Sequence, residues 1–228
     1  MRQESKKALN PTPQKWSKPI IVLGKGVPAY SNTYGCLTCC VAGVSEEDGW
    51  LRLYPLFLEP VLSSIKPLEK FDIVRVVFRL KHPEPNRPES RKIFPEFVEK
   101  VGHIHDENAR TKLLEQYTEP GLFLHNDSWR GRKTLGMIRP LEKRFWLTKD
   151  NIPLVKFTCS RSCRGHTCEI GEYMKFNNVG RVHYQKRDAE LVKQLFPLEN
   201  KKLRFVMGTI RRRPHRWLLI SIHIFGAN

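Results

Sequence analysis

No stretch of this chain stays apolar for the roughly 20 residues that a membrane-spanning helix requires. The longest such runs, Trp217 to Ile222 among them, fall far short. The Lys- and Pro-rich start also lacks the apolar segment of a signal peptide, so the expectation is a cytoplasmic or nucleoid-associated protein with no membrane partner. Phosphate-cradling loops are missing: Gly24-Lys25-Gly26 is too short and has no strand-to-helix setting. There is no nucleophile elbow and no zinc-protease His pair, and neither a helix-turn-helix signature nor the RNA-recognition aromatic motif can be found. Internal repeats and low-complexity tracts are absent as well. Cysteine is sparse, six in all. In a reducing compartment these read as thiols or metal ligands rather than as disulfides.

Acidic residues are in deficit. Against 40 Lys and Arg stand 23 Asp and Glu, a formal charge of +17. Such self-repulsion opposes folding and is usually retained where a polyanion offsets it. A merely solubilising surface would normally mix the two signs. The surplus is concentrated: from Asn151 to Asn228 there are 15 basic and 5 acidic residues. The chain is nonetheless well supplied with core material, with a hydrophobic fraction of 40%, 12 Phe, 6 Tyr and 5 Trp in 228 residues. That excludes wholesale disorder and is enough for one large domain or two small ones.

Residues 1–18 read as a flexible basic arm. A β-rich subdomain is expected over 19–105. Within it lie strands at Ile20 to Leu23, Leu37 to Val44 and Trp50 to Tyr54, with a hairpin turn at Asp48-Gly49. Leu56 to Ile65 has helix-compatible spacing, and Phe71 to Leu80 and Phe94 to Ile104 read as strands. A helical and loop connector follows over 106–150, with a helix from Asp106 to Tyr117 capped by Asp106 and strand-like pieces at Leu135 to Ile138 and Arg144 to Thr148. A basic α+β subdomain completes the chain over 151–228. Its expected elements are a strand at Leu154 to Thr158, helices at Glu169 to Phe176 and Asp188 to Phe196, and a strand pair at Leu203 to Ile210 and Trp217 to Phe225. The fold class this implies is α+β, with a mainly antiparallel, barrel-like or strongly curved sheet and a few peripheral helices.

Three constellations carry chemistry. Cys159, Cys163 and His166 stand four and three residues apart after a strand, so three soft or borderline donors can converge on a tetrahedral zinc ion, with Cys36, Cys39 or Cys40, the last foremost, as candidate fourth ligand. Packing of these cysteines as small hydrophobes is the alternative. On a helix His166 would share a face with Glu169 and Glu172, a setting for acid-base or metal chemistry; first-turn acids that offset a helix dipole would look the same. Finally, Arg and Lys alternate with aromatics: Trp129 with Arg130, Arg132 and Lys133; Tyr184 with Lys186 and Arg187; Arg211, Arg212, Arg213 and Arg216 with Trp217. Guanidinium forks suit phosphates, and aromatic rings stack on unpaired bases.

Several blocks resemble an uncharacterised family of small proteins of unassigned function. They are Tyr30-Ser31 to Tyr34, Cys40-Val41-Ala42-Gly43-Val44, Asp48 to Pro55, Arg87-Pro88-Glu89-Ser90, Cys159 and Cys163 with Gly165-His166, and Gly208-Thr209 with Pro214 and Trp217. The resemblance implies that Cys40, Arg87, Glu89, Cys159, Cys163, His166 and Glu172 share one functional neighbourhood. An Asp-Trp-Glu group would follow His166 in that pattern; here the positions read Glu172-Tyr173-Met174. It implies no activity. The leading expectation is therefore a binder of nucleic acid, DNA or RNA, acting in repair, defence or processing. One rival is a nuclease or lyase using His166, Glu172 and Glu89. The other is a basic subunit with protein partners in a ribonucleoprotein assembly.

Overall fold

The structure is a computed structural model; it describes residues 15–26, 28–57, 68–79, 84, 86–126, 133–149, 153–170, 196–210 and 213–224. The first sheet is built from β1 (Ile20–Lys25), β2 (Ala29–Ser31), β3 (Cys36–Ser45), β4 (Gly49–Phe57), β5 (Asp72–Phe78) and β6 (Ser90–His103). Its order is β1-β5-β6-β4-β3-β2, and an added β1–β3 pairing closes five of the strands into a barrel. All barrel pairs are antiparallel except β4 with β6. This connectivity is the five-stranded Greek-key barrel of the OB type.

Strand alternation explains the barrel. Ile20, Val22, Val41, Leu51, Leu53, Val74, Val76 and Ile93 fill its interior, as β-branched and aliphatic residues on inward positions should. The intervening residues Leu23, Ala42, Val44 and Trp50 point outward and are still buried. Both faces of β1, β3 and β4 are thus covered over part of their length. The β3–β4 hairpin turns at Asp48-Gly49 as expected, with the Asp48 N–H donating to Ser45 Oγ at 2.9 Å.

What covers the outer face is the second half of the chain. Helix α1 (Glu107–Gln116) is capped by Asp106, whose carboxylate accepts from the Ala109 N–H at 2.7 Å. After β7 (Thr118–Glu119) and the short α2 (Phe123–Asn126) come β8 (Leu135–Ile138), β9 (Lys143–Leu147), β10 (Pro153–Phe157), β11 (His166–Ile170), β12 (Leu203–Ile210) and β13 (Arg213–Ile224). The seven strands form a sheet in the order β7-β8-β12-β13-β11-β10-β9. Leu114, Leu135, Met137 and Val206 pack on Trp50, Val44, Ala42 and Leu23, a core shared by barrel and sheet. A separate core lies within the second sheet, around Phe145, Phe157, Phe205 and Leu219.

The barrel is as expected, but helix is scarcer: among the described residues it is confined to α1, α2 and a 3-10 turn at Phe196–Leu198. The helix expected from Glu169 begins instead as the end of strand β11, where Val155 pairs with Cys168 and Leu154 with Glu169. The pieces β8 and β9, expected within a connector, are full members of the second sheet. The end of the basic arm is docked: Trp16 bridges Val77, and the Ser17 N–H donates to the Val76 carbonyl at 2.8 Å. The expected helix at 56–65 falls mostly on residues outside the described ones, although Leu56 and Phe57 belong to β4. The stretch 188–195 also lies outside them. No helix among the described residues is long and apolar enough to cross a membrane.

Candidate functional site

The β10–β11 connection and the start of β11 bring together a group of three metal-ligating side chains. Cys159, Cys163 and His166 bring their two sulfurs and a ring nitrogen within 4.8 Å of one another. Cys159 Sγ lies 3.3 Å from His166 Nε2. The Gly165 N–H donates to Cys163 Sγ at 3.3 Å, and Gly165, at φ 96°, allows the chain to turn back into β11. His166 stacks on Phe157 at 5.2 Å, which fixes its ring plane. Gly121 lets a neighbouring loop lie directly on Cys159, since a Cβ at 121 would sit 2.3 Å from the Cys159 Cβ. The two thiols differ in acidity. Burial pushes the Cys159 thiol up to about 11, reinforced by Cys163. Burial acts upward on Cys163 too, but backbone N–H donors, that of Gly165 among them, outweigh it and hold Cys163 below the ordinary thiol value.

A second polar cluster sits where the barrel meets the second sheet. Arg52, only 3% exposed, projects from β4 and donates to Ser90 Oγ at 3.3 Å, Thr134 Oγ1 at 3.1 Å and the Thr134 carbonyl at 2.6 Å. Glu89, 8% exposed, accepts from the Thr134 N–H at 2.8 Å, Thr134 Oγ1 at 2.7 Å and the Leu135 N–H at 3.3 Å. Arg87 donates to the Thr209 carbonyl at 3.0 Å. Burial, with Arg87 nearby, lowers the Arg52 guanidinium to about 10, against the pull of Cys40 and Glu89. The bonds from Arg52 and Glu89 to Thr134 and from Arg87 to Thr209 tie the barrel to the second sheet.

A family model for a domain of unknown function, DUF8758, matches residues 17–116. That span is the barrel with α1. No curated protein matches the chain. Among solved structures, the chain is similar to the Ifi202 HINa domain in complex with 20 bp dsDNA, at 10% identity, covering 92% of this chain and 95% of that one with a TM-score of 0.36. It is similar also to p202 HIN1 in complex with 12-mer dsDNA, at 11% identity, 98% and 100% coverage and a TM-score of 0.32. The tetrameric p202 HIN2 gives 10% identity, 94% and 96% coverage and a TM-score of 0.31. At such scores these likenesses carry no argument about what the chain does.

The residues expected to form one neighbourhood fall into two groups. Cys40 lies near Arg52, with Arg87 and Glu89, at the junction; Cys159, Cys163 and His166 form the β10–β11 cluster, which Cys40 does not join. The expected four-ligand set thus becomes three. Glu89 is bonded to Thr134 and Leu135, whereas His166 meets Cys159 and Phe157, so a joint catalytic role for Glu89 and His166 is not supported. The face expected to join His166 to Glu169 and Glu172 required a helix; β11 is a strand, in which residues three apart do not share a face. Glu172 lies outside the described residues.

Two of the expected nucleic-acid contacts have internal duties. Trp217 is 6% exposed, packs on Phe123 and donates its indole N–H to the Leu124 carbonyl at 3.1 Å, so it is a core residue and no stacking platform. Lys133 is ion-paired with Glu119 and lies over the Phe123 ring. Arg130, Arg132, Lys186, Arg187, Arg211 and Arg212 lie outside the described residues. Arg213 and Arg216 belong to β13.

The sequence reading missed a basic face on β9 and β10. Arg144 and Lys156 are register partners on these adjacent antiparallel strands and both are exposed. Thr167 on β11 continues the row. Two residues along β9 from Arg144, and hence on the same face, is the half-buried Trp146, opposite Leu154. The loop beyond β10 adds exposed Arg161 and Arg164. Among the described residues none of these four cations makes an ion pair.

Proposed function

We propose that the protein binds nucleic acid on the outer face of β9, β10 and β11. Arg144 and Lys156 supply phosphate contacts there, Trp146 a stacking surface, and Arg161 and Arg164 further cations at the loop. The observation that carries the reading is the Arg144–Lys156 register pair. Like charges directly opposite one another destabilise a strand pair, and among the described residues no ion pair relieves this one. A phosphate backbone would. An aromatic beside cations on an open sheet is the arrangement that takes unpaired bases by stacking and their phosphates by charge. The barrel face of β3 and β4, where OB barrels commonly take oligonucleotides, is partly covered by Leu135, Met137 and Val206. This favours the second sheet as the contact surface. The arginines of 211–216 and Lys186 with Arg187 extend the same proposal by composition.

Fluorescence anisotropy with labelled single- and double-stranded DNA and RNA provides the test. Reversing the pair (R144E/K156E) should weaken binding at least tenfold, about 1.4 kcal/mol. K112E, on the exposed side of α1, is the control and should leave binding nearly unchanged. Equal losses from both changes would indicate attraction to net charge without a surface.

A further inference from the structure

We infer that Cys159, Cys163 and His166 form a zinc site that clips the β10–β11 loop, with no other Cys, His, Asp or Glu among the described residues joining the three. The three donor atoms already lie within 4.8 Å of one another. Around a tetrahedral zinc with Zn–S bonds near 2.3 Å, two sulfurs stand about 3.8 Å apart, so closure onto the ion needs shifts of about 1 Å or less. The donor set is selective. Two thiolates and an imidazole are soft to borderline ligands that favour zinc, whereas magnesium and calcium demand carboxylate and carbonyl oxygens.

The surroundings carry a second, independent sign. The Gly165 N–H is aimed at Cys163 Sγ, a backbone donor placed to support a sulfur that carries negative charge. The Phe157 ring stacks on His166 at an interplanar angle of 30° and Nε2 faces Cys159, leaving Nδ1 as the protonated nitrogen when Nε2 binds metal. Binding releases two thiol protons to solvent. Zinc, two thiolates and one neutral imidazole then sum to zero charge, with exposed Arg161 and Arg164 on either side of Cys163. All three ligands are half-buried, which leaves the ion accessible to chelators. Cys40 belongs to the junction near Arg52 and is no part of the site.

Two measurements on the full chain test this. Elemental analysis of reduced protein purified without chelators should give about one zinc per chain. Titrating metal-free protein with Co²⁺ should give a thiolate charge-transfer band and the intense visible bands of tetrahedral cobalt, saturating at one equivalent. C163S and H166A should each abolish stoichiometric binding while C40S retains it, with circular dichroism reporting whether each variant is folded. The inference is overturned if the wild-type protein takes up no cobalt in tetrahedral form, if C40S loses the metal, or if folded C163S and H166A retain it. It is overturned equally if intact mass shows a Cys159–Cys163 disulfide that persists under the reducing conditions of the titration. None of these readouts involves nucleic acid, so this site and the binding surface fail or stand separately.

Discussion

Replacing Glu89 by Ala should cost about 3 to 5 kcal/mol, the usual consequence of removing one member of a buried charged network. The carboxylate takes three hydrogen bonds, from the Thr134 N–H, Thr134 Oγ1 and the Leu135 N–H. Two are short, and each bond to a charged group contributes roughly 1.5 to 3 kcal/mol. Its loss strands three buried donors and deprives Arg52, already depressed to about 10 by burial and by Arg87, of an attracting charge. Gln at the same position keeps an oxygen for both N–H groups and should lose about half as much. In a chain of this size 1 kcal/mol moves Tm by about 2 to 4 °C, so E89A should melt about 10 °C early. Urea unfolding followed by circular dichroism gives the free energy. Thr134→Val, which removes the shared hydroxyl, should couple to E89A by at least about 0.5 kcal/mol in a double-mutant cycle. A cost below about 1 kcal/mol for E89A, or strict additivity with T134V, would refute the view that this network holds barrel and sheet together.

Further outcomes follow from other sites. His223 is buried, and that burial, aided by Lys70, lowers it to about 3; it donates to the Leu23 carbonyl at 2.7 Å. Unfolded histidine takes up its proton below about 6.5, so stability is complete above that pH and should fall by up to about 1.4 kcal/mol per unit towards pH 3. H223Q should flatten that slope between pH 6.5 and 4 in urea titrations; an unchanged slope would exclude His223 as its source. Asp72, bonded to Lys100 and His103 and held below the usual carboxylate value although burial acts the other way, adds loss only below about pH 4. Gly121→Ala drives a methyl into Cys159 and should destabilise by about 1 to 3 kcal/mol, as overpacking does. It should weaken cobalt binding in the same protein; wild-type metal affinity in a folded G121A would contradict the close approach.

How much of this was legible beforehand depended on the range of the signal. The barrel strands showed themselves because Ile20 to Leu23, Leu37 to Val44 and Phe71 to Leu80 carry β-branched residues between turn signals, and Asp48-Gly49 marks the hairpin locally. Asp106 announced α1 for the same reason. The cluster of Cys159, Cys163 and His166 was visible because all three donors sit within one loop. Glu169 misled because the short run His166 to Ile170 alternates too briefly to outweigh a helical spacing of acids; pairing with β10 decided it. Trp217 followed a run of arginines and read as a surface ring, yet its place opposite Thr209 turns it into the core. Arg52 stood in an apolar strand without a visible partner, since Thr134 lies 82 residues away. The Arg144–Lys156 pair exists only in the register of two strands, and no local pattern encodes that.

The central claim is that phosphates neutralise the Arg144–Lys156 face. It is tested most directly by the dependence of the binding constant on salt, measured for the wild-type chain and for R144A/K156A. Each phosphate contact contributes about 0.9 to the log-log slope on duplex and about 0.7 on single strands, so the double variant should have a slope shallower by about 1.4 to 1.8. Parallel salt plots for the two proteins would contradict the account.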